Sequence, residues 1–312
     1  MTENLGASPR RRRSIGFGGR EGLAGYLFIG PSILFLCVFV IVPMLIALYY
    51  SFTKYDLMSS PSFVGLENYG QLLRDRHLPA ATRNTFYFAF GTVPAGVVSS
   101  LLLATLINRD IRGIYVFRAL FYMPVVSSFV AVSLIWLWLY EPQFGLLNMG
   151  LEFVGLPRLK WLIVPKTAMM SIIIMSVWKN MGLNMVIYLA GLQGIPSHLY
   201  EASEIDGAGR VAQFFRVTLP LLAPTTFFVV IVYFIGALQM FTQVFVLTGG
   251  SSGGGEPGGP LNSTVTIVIL IYSNAFRYLH MGYASAVSVA LFGMIGIVTV
   301  VNARFLQYDA GQ

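Results

Sequence analysis

Long stretches of this chain carry almost no charge, and that feature leaves few folds open to it. Six such runs, at 23–50, 84–107, 119–140, 168–191, 221–247 and 284–306, each hold about 20 residues or more, the length a helix needs to cross a bilayer core. A segment surrounded by lipid must satisfy its own backbone hydrogen bonds, so each run is expected to be helical. Charged residues make up 11% of the sequence and hydrophobic ones 56%, where a soluble domain carries about 25% charged residues. The expectation is an all-α membrane protein, a bundle of six transmembrane helices over 23–308 with a basic tail at 1–22 and a short tail at 309–312. Pro43, Pro94 and Pro124 fall inside runs, which membrane helices tolerate because neighbours re-satisfy the freed backbone groups. A further apolar core at 265–272, within 263–278, is about eight residues long and too short to span. It reads as an interfacial or re-entrant helix.

Charge then narrows the function classes. The net charge is +7, but no basic stripe with interleaved aromatics marks a nucleic-acid surface. The dense cluster is Arg10–Arg13 with Arg20 behind it, directly before the first run, as expected of a cytoplasmic anchor. A twin-arginine export signal would need an apolar stretch of about 7–15 residues, and the run at 23–50 is far longer. With the N-terminus inside, Lys and Arg are in excess on the cytoplasmic side, which places a multi-pass protein in the plasma membrane with both termini cytoplasmic. Cys37 is the single cysteine, and His77, His198 and His280 are far apart, so neither a disulfide nor a metal site is expected. The glycine-rich stretch at 248–259 has no lysine and lacks the Gly-Lys-Ser/Thr of a phosphate-binding loop. No paired carboxylates and no nucleophile–base set occur in the runs, so the chain is not expected to be an enzyme.

The loop at 195–220 is polar and patterned. Ser197 after Pro196 is a plausible N-cap, Leu199 to Asp206 are good helix formers, and Gly207 is placed to end the helix. A second helical segment is expected from Arg210 to Val217, with Pro220 in the first turn of the fifth span, where its missing donor does no harm. Such a helix–turn–helix suits docking into a cleft on another protein, and it equally suits an ordinary amphipathic loop.

Glu201-Ala202-Ser203, then Gly207, then Val217-Thr218-Leu219-Pro220 resemble the EAA signature of ABC importer permeases, with Ser203 and Val217 in place of an alanine and an isoleucine. Further segments resemble the MalF-like first permease of the carbohydrate-uptake branch: 25–31, 51–56, 63–69, Asn84-Thr85, 117–124, 189–193 and 282–286. The glycine-rich insert before Pro260 is longer than that family's usual turn. The resemblance implies a MalF-like permease fold with a cytoplasmic coupling helix and pairing with a second homologous permease subunit. It also implies two copies of a cytoplasmic ABC ATPase, which bind ATP and Mg, and an extracytoplasmic solute-binding protein. No cofactor is expected in this chain. Glu201, Ala202, Ser203, Asp206, Gly207, Leu219 and Pro220 would couple to the ATPase, with Glu201 facing a basic residue.

Polar residues inside spans are expensive and usually face an interior path. That argument selects Ser127 and Ser128 in the third span, Ser176, Trp178, Lys179, Asn180 and Asn184 in the fourth, and Tyr233, Gln239 and Gln243 in the fifth. Trp178 offers a flat face on which a sugar ring can stack, and Lys179 and Asn180 are candidates to bind hydroxyls. Gln239 and Gln243 form an i, i+4 pair. The alternative for these residues is a packing network with the partner permease. The expected solute is a sugar or sugar-like molecule. Glycerol 3-phosphate is the alternative, with Lys179 as its anion contact. A secondary transporter would need intramembrane carboxylates for ion coupling, and the spans hold almost none.

Overall fold

A computed structural model describes residues 19–108, 112–250 and 257–309. The arginine cluster at 10–13, Arg109 and the glycine-rich residues 251–256 lie outside them. The chain divides into two units, 1–49 and 50–312. The described part of the first is helical and belongs to α1 (19–51), made of Gly19–Leu36, a π turn at Cys37–Ile41, and Val42–Ser51, whose last two residues are counted in the second unit. The π turn sits directly before Pro43, which has no amide hydrogen to donate. The Val42 amide reaches back to the Cys37 carbonyl instead of the usual partner four residues away. A segment at Gly25–Ser51 is long and apolar enough to cross a membrane.

The second unit opens with a two-stranded hairpin, Thr53–Lys54 against Ser62–Phe63. Asp56 shapes its turn by accepting from the Ser59 amide (2.8 Å), the Ser59 hydroxyl (2.7 Å) and the Met58 amide (3.1 Å). Those bonds, led by the Ser59 hydroxyl, hold its carboxyl below the ordinary carboxylate range. Helix α2 (Glu67–Arg74) follows. Its buried Asn68 donates to the carbonyls of Ser51 (2.9 Å) and Thr53 (2.8 Å).

Next come α3 (His77–Ile107), α4 (Ile114–Val126), α5 (Phe129–Leu139), α6 (Leu146–Phe153) and α7 (Pro165–Gln193). The long helices α3 and α7 lie side by side and form the centre of the unit, with α4 packed along α7. Beyond α7 come α8 (Ser197–Ile205), α9 (Arg210–Leu221), α10 (Ala223–Leu238), α11 (Thr242–Phe245), α12 (Ile267–Arg277) and α13 (Met281–Asp309). α10 packs on α3. The largest core cluster gathers Phe88, Val93, Trp136, Met175, Leu238 and Val244. A second, nearer the loop after α7, gathers Leu101, Met185, Tyr188, Leu222 and Val229. Buried hydroxyls such as Thr85 and Ser171 donate to the carbonyl one turn back in their own helices, which removes the penalty of placing them in an apolar bundle.

Among the described residues four helices are long and apolar enough to cross a membrane, or six if each of two bent pairs counts as one crossing. The single helix expected at 119–140 is broken, because α4 and α5 meet at 100°. The run at 221–247 also departs from expectation. α10 stops at Leu238, and Gln239, Met240 and Phe241 leave the helix, Phe241 with φ −135° and ψ −63°. The Met240 carbonyl freed there accepts from the Thr266 hydroxyl at 3.3 Å. α12 is the short apolar helix expected near 265–278, and Ile267, Ile269 and Leu270 are buried. Its entry is fastened to α3. Asn84 donates to the carbonyls of Asn262 (3.2 Å) and Val265 (3.0 Å), and the Ile267 amide donates to the Thr85 hydroxyl (3.1 Å). Irregular backbone inside a bundle needs such partners, which gives the Asn84-Thr85 pair a physical role.

Candidate functional site: the loop after the central helix and the polar face above it

The loop between α7 and α10 folds as two arms. α8 begins with Pro196 in extended conformation (φ −63°, ψ 134°) as its N-cap, and no side chain caps it. The expectation that Ser197 caps this helix is therefore corrected. Ser197 is already its first helical residue, and Pro196 makes the turn because its ring excludes the helical continuation backwards. At the other end the Gly207 amide donates to the Glu204 carbonyl (3.0 Å) and the Ala208 amide to the Ser203 carbonyl (2.9 Å). That pair of bonds is a Schellman cap, which needs a left-handed residue at its turn. Gly207 supplies it with φ +79°.

The second arm, α9, contains a π turn at Phe214–Thr218 directly before Leu219-Pro220. The Leu219 amide reaches back to the Phe214 carbonyl, as Val42 does before Pro43. α9 then turns by 65° into α10 at Leu222, where Pro224 again lacks a donor. Leu219 packs on the second core cluster while Pro220 is exposed.

Four side chains clasp the arms together. The Ser203 hydroxyl donates to the Tyr200 carbonyl (2.7 Å) and accepts from the Gln213 amide (3.0 Å). Gln213 also reaches the Tyr200 carbonyl (3.3 Å), and the Tyr200 hydroxyl meets that of Thr218 (3.0 Å). Gln213 and Thr218 are buried. The residues facing outward are Glu201, Ala202, Glu204, Ile205, Asp206 and Gly207, with Ile205 87% exposed. Among the described residues neither Glu201 nor Asp206 has an ion-pair partner. The structure thus brings the expected loop residues together in two roles: Glu201, Ala202, Asp206 and Gly207 on the outer surface, Ser203 and Leu219 on the inner one. Gln213 and Tyr200 escaped the sequence reading, and Thr218 entered it only as part of the signature. The signal for Gln213 was an amide side chain in an otherwise apolar helical turn.

The expected path residues are only partly gathered. Trp178, Lys179 and Asn180 are consecutive, so the helix turns them about 100° apart from one another. They cannot act on one ligand as a set. Trp178, 42% exposed, lines a cavity of about 690 Å³ between α3 and α7, with Tyr87, Phe90, Ile173, Ile174 and Val177. Trp136 meets its ring edge to face, centroids 5.5 Å apart. Asn180 lies on the side of α10, donating to the Ser176 carbonyl at 2.9 Å, and the Tyr233 hydroxyl reaches the same carbonyl at 3.4 Å. Ser176, Asn180 and Asn184 recur every fourth residue and form one polar stripe on α7. Within it the Ser176 hydroxyl and the Asn184 amide are buried with no partner among the described residues.

Several of the expected path residues have placements that the sequence did not suggest. Lys179 is buried on main-chain carbonyls of the α4–α5 break, donating to Pro124 (3.1 Å), Ser127 (3.0 Å) and Val125 (3.4 Å). An ammonium has three donors, and all three are engaged. Ser128 uses its hydroxyl as the N-cap of α5, accepting from the Ala131 amide at 3.1 Å. Gln239 and Gln243 do not share a helix face, because the helix ends between them. Gln239 is exposed at the end of α10, and Gln243 is buried in α11.

No group of three or more metal-ligating side chains occurs among the described residues. The family model for the binding-protein-dependent transport system inner membrane component matches residues 31–307. The probable ABC transporter permease protein YesP of Bacillus subtilis is 36% identical over 312 residues, covering 99% of this chain and 97% of YesP. The sulfoquinovosyl glycerol transport system permease protein SmoG of Agrobacterium fabrum is 32% identical over 301 residues, covering 96% and 94%. A solved bacterial alginate ABC transporter, in complex with a periplasmic protein bound to an alginate pentasaccharide, has a chain of the same fold. Its TM-score is 0.77 at 22% identity, covering 91% of this chain and 93% of that one. With the family model matching nearly its whole length, this chain belongs to the inner membrane components of binding-protein-dependent transport systems.

Proposed function

We propose that this chain is one of two permeases in an ATP-driven importer that carries a sugar-like solute into the cell. Its N- and C-termini are cytoplasmic, and the α8–α9 loop receives two ATPase subunits in common with the partner permease. The observation that carries the coupling assignment is the two-arm loop itself. Its inner face is hydrogen-bonded shut, and its outer face presents Glu201, Ile205 and Asp206 with no partner of their own among the described residues. Glu201 is then the charge that meets a basic residue of the ATPase, whose truncation at a desolvated interface costs about 2–5 kcal/mol. Glu201→Ala is expected to leave insertion intact and to separate ATP hydrolysis from uptake. Unchanged uptake in proteoliposomes containing all partners would remove the assignment.

For the solute, the support lies in the cavity beside Trp178, whose aromatic lining suits the apolar face of a sugar ring. The polar stripe of Ser176, Asn180 and Asn184 with Tyr233 lies on another face of α7 and is a separate hydrogen-bonding surface along the helix. SmoG, by its name, serves a glycosyl glycerol. A phosphate-bearing solute loses its chief support once the ammonium of Lys179 is tied to three carbonyls. Calorimetric titration of the cognate binding protein with glycosyl glycerols and with glycerol 3-phosphate decides between them. Binding of glycerol 3-phosphate alone would refute the sugar reading.

A further inference from the structure

The break between α4 and α5 is the sharpest bend between helices that together are long and apolar enough to span, at 100°. A helix end leaves its last carbonyls without intrahelical partners, and those carbonyls carry the negative end of the helix dipole. Pro124 and Val125 stand in the last turn of α4, and Ser127 lies just past it. Their three carbonyls converge on the ammonium of Lys179, which is 4% exposed and lies 4.3 Å from the centre of the Phe129 ring, the first residue of α5. One side chain from α7 therefore touches both halves of the broken span. One turn further along α7, a β-carbon at Gly182 would come within 2.1 Å of the Phe121 carbonyl oxygen, so α4 and α7 are tightly apposed near the same lysine.

An ammonium out of water is unfavourable unless hydrogen-bonded, and a methionine would fill the same volume without that penalty. The charge is explained by the carbonyls it satisfies. We propose that Lys179 is a positioning residue for transport: it pins the end of α4 to α7 and keeps the third span bent. The rotation of α7 about its axis is set with it, so that Trp178 faces the cavity and Asn180 stays beside Tyr233. The positioning role rests on the permease reading above; the pinning of the bend does not.

The chain's only cysteine is Cys37, so Cys37→Ser gives a background for two spin labels, at Val116 on α4 and Trp138 on α5, both exposed. A 100° bend places these positions about 20 Å apart along the helix axes, and a continuous helix about 33 Å apart. In nanodiscs holding the transporter with its partners, the native lysine should give one short distance. Lys179→Met should lengthen it by about 5 Å or more and reduce uptake of radiolabelled glycosyl glycerol about tenfold. Lys179→Arg, which keeps charge and donors, should restore both. Should the methionine variant fail to insert, Lys179→Gln, with two donors, should give an intermediate distance. A short distance retained without the ammonium overturns the latch. A lengthened distance with undiminished uptake overturns the positioning role. If the native chain takes up no glycosyl glycerol, the solute reading has failed, and the distances still decide the latch.

Discussion

The α8–α9 loop and the α4–α5 break are both bends in a helical chain, and they are made in opposite ways. The loop turns through Gly207, whose own neighbours in sequence close the Schellman cap. Its outer groups are exposed, so water satisfies what the turn leaves over. The break turns through two serines that any membrane helix tolerates, and its leftover carbonyls are met by Lys179, 52 residues beyond Ser127. A turn open to solvent can be written locally. At the break the carbonyls are covered by a side chain from another helix and take their donor from it, since a covered carbonyl without a partner costs about 1–3 kcal/mol.

The largest expected effect falls on the break. Gly182→Val puts a branched side chain where the β-carbon alone would sit 2.1 Å from the Phe121 oxygen. Backbone must move, and the destabilisation is expected at about 3 kcal/mol or more. Thermal stability of the detergent-purified chain should fall together with its yield of monodisperse protein. A variant as stable as the native chain would show that α4 and α7 are not tightly apposed, and the contrast with the exposed loop would collapse.

Gly207→Pro is expected to come next, and to act on function more than on folding. Proline holds φ near −65°, against +79° here, and it removes the amide that donates to Glu204. The end of α8 should open while the buried helices stay as they are. Uptake should fall about tenfold or more, with ATP hydrolysis no longer following solute, and thermal stability should shift far less than for Gly182→Val. Equal losses of stability in the two variants would erase the distinction between a bend closed by its own neighbours and one held by another helix.

The same distinction explains what could be read from the residues alone. Apolar runs report helices because burial in lipid is a local property of composition, and Gly207 reported its turn because left-handed geometry is a local property of one residue. The break at 127–128 was hidden, since its cause is a lysine elsewhere in the chain. The end of α10 at Leu238 was hidden as well. No Pro or Gly marks residues 239–241, and the bond that receives the freed Met240 carbonyl comes from Thr266. In the candidate path, residue type singled out polar groups inside spans. It did not reveal that three consecutive residues face three directions, with Lys179 turned toward backbone carbonyls.

The smallest expected effect probes a place where the loop does rely on a distant partner. Ser203 stands where the family signature has alanine, and its hydroxyl joins Gln213, ten residues on, across the two arms. Gln213→Leu removes two bonds, to Ser203 at 3.0 Å and to the Tyr200 carbonyl at 3.3 Å, while Ser203→Ala leaves the second in place. Each single variant is expected to lose about 1 kcal/mol, and the double variant less than the sum, with a coupling of about 0.5–1 kcal/mol. Thermal unfolding of the four proteins measures that coupling. The ATP hydrolysed per solute moved should rise in the Gln213→Leu chain and less in the Ser203→Ala chain, which keeps the bond from Gln213 to the Tyr200 carbonyl. Strict additivity would mean that the arms are held by Tyr200 and Thr218 alone. The loop would then be as purely local in its construction as the cap at Gly207.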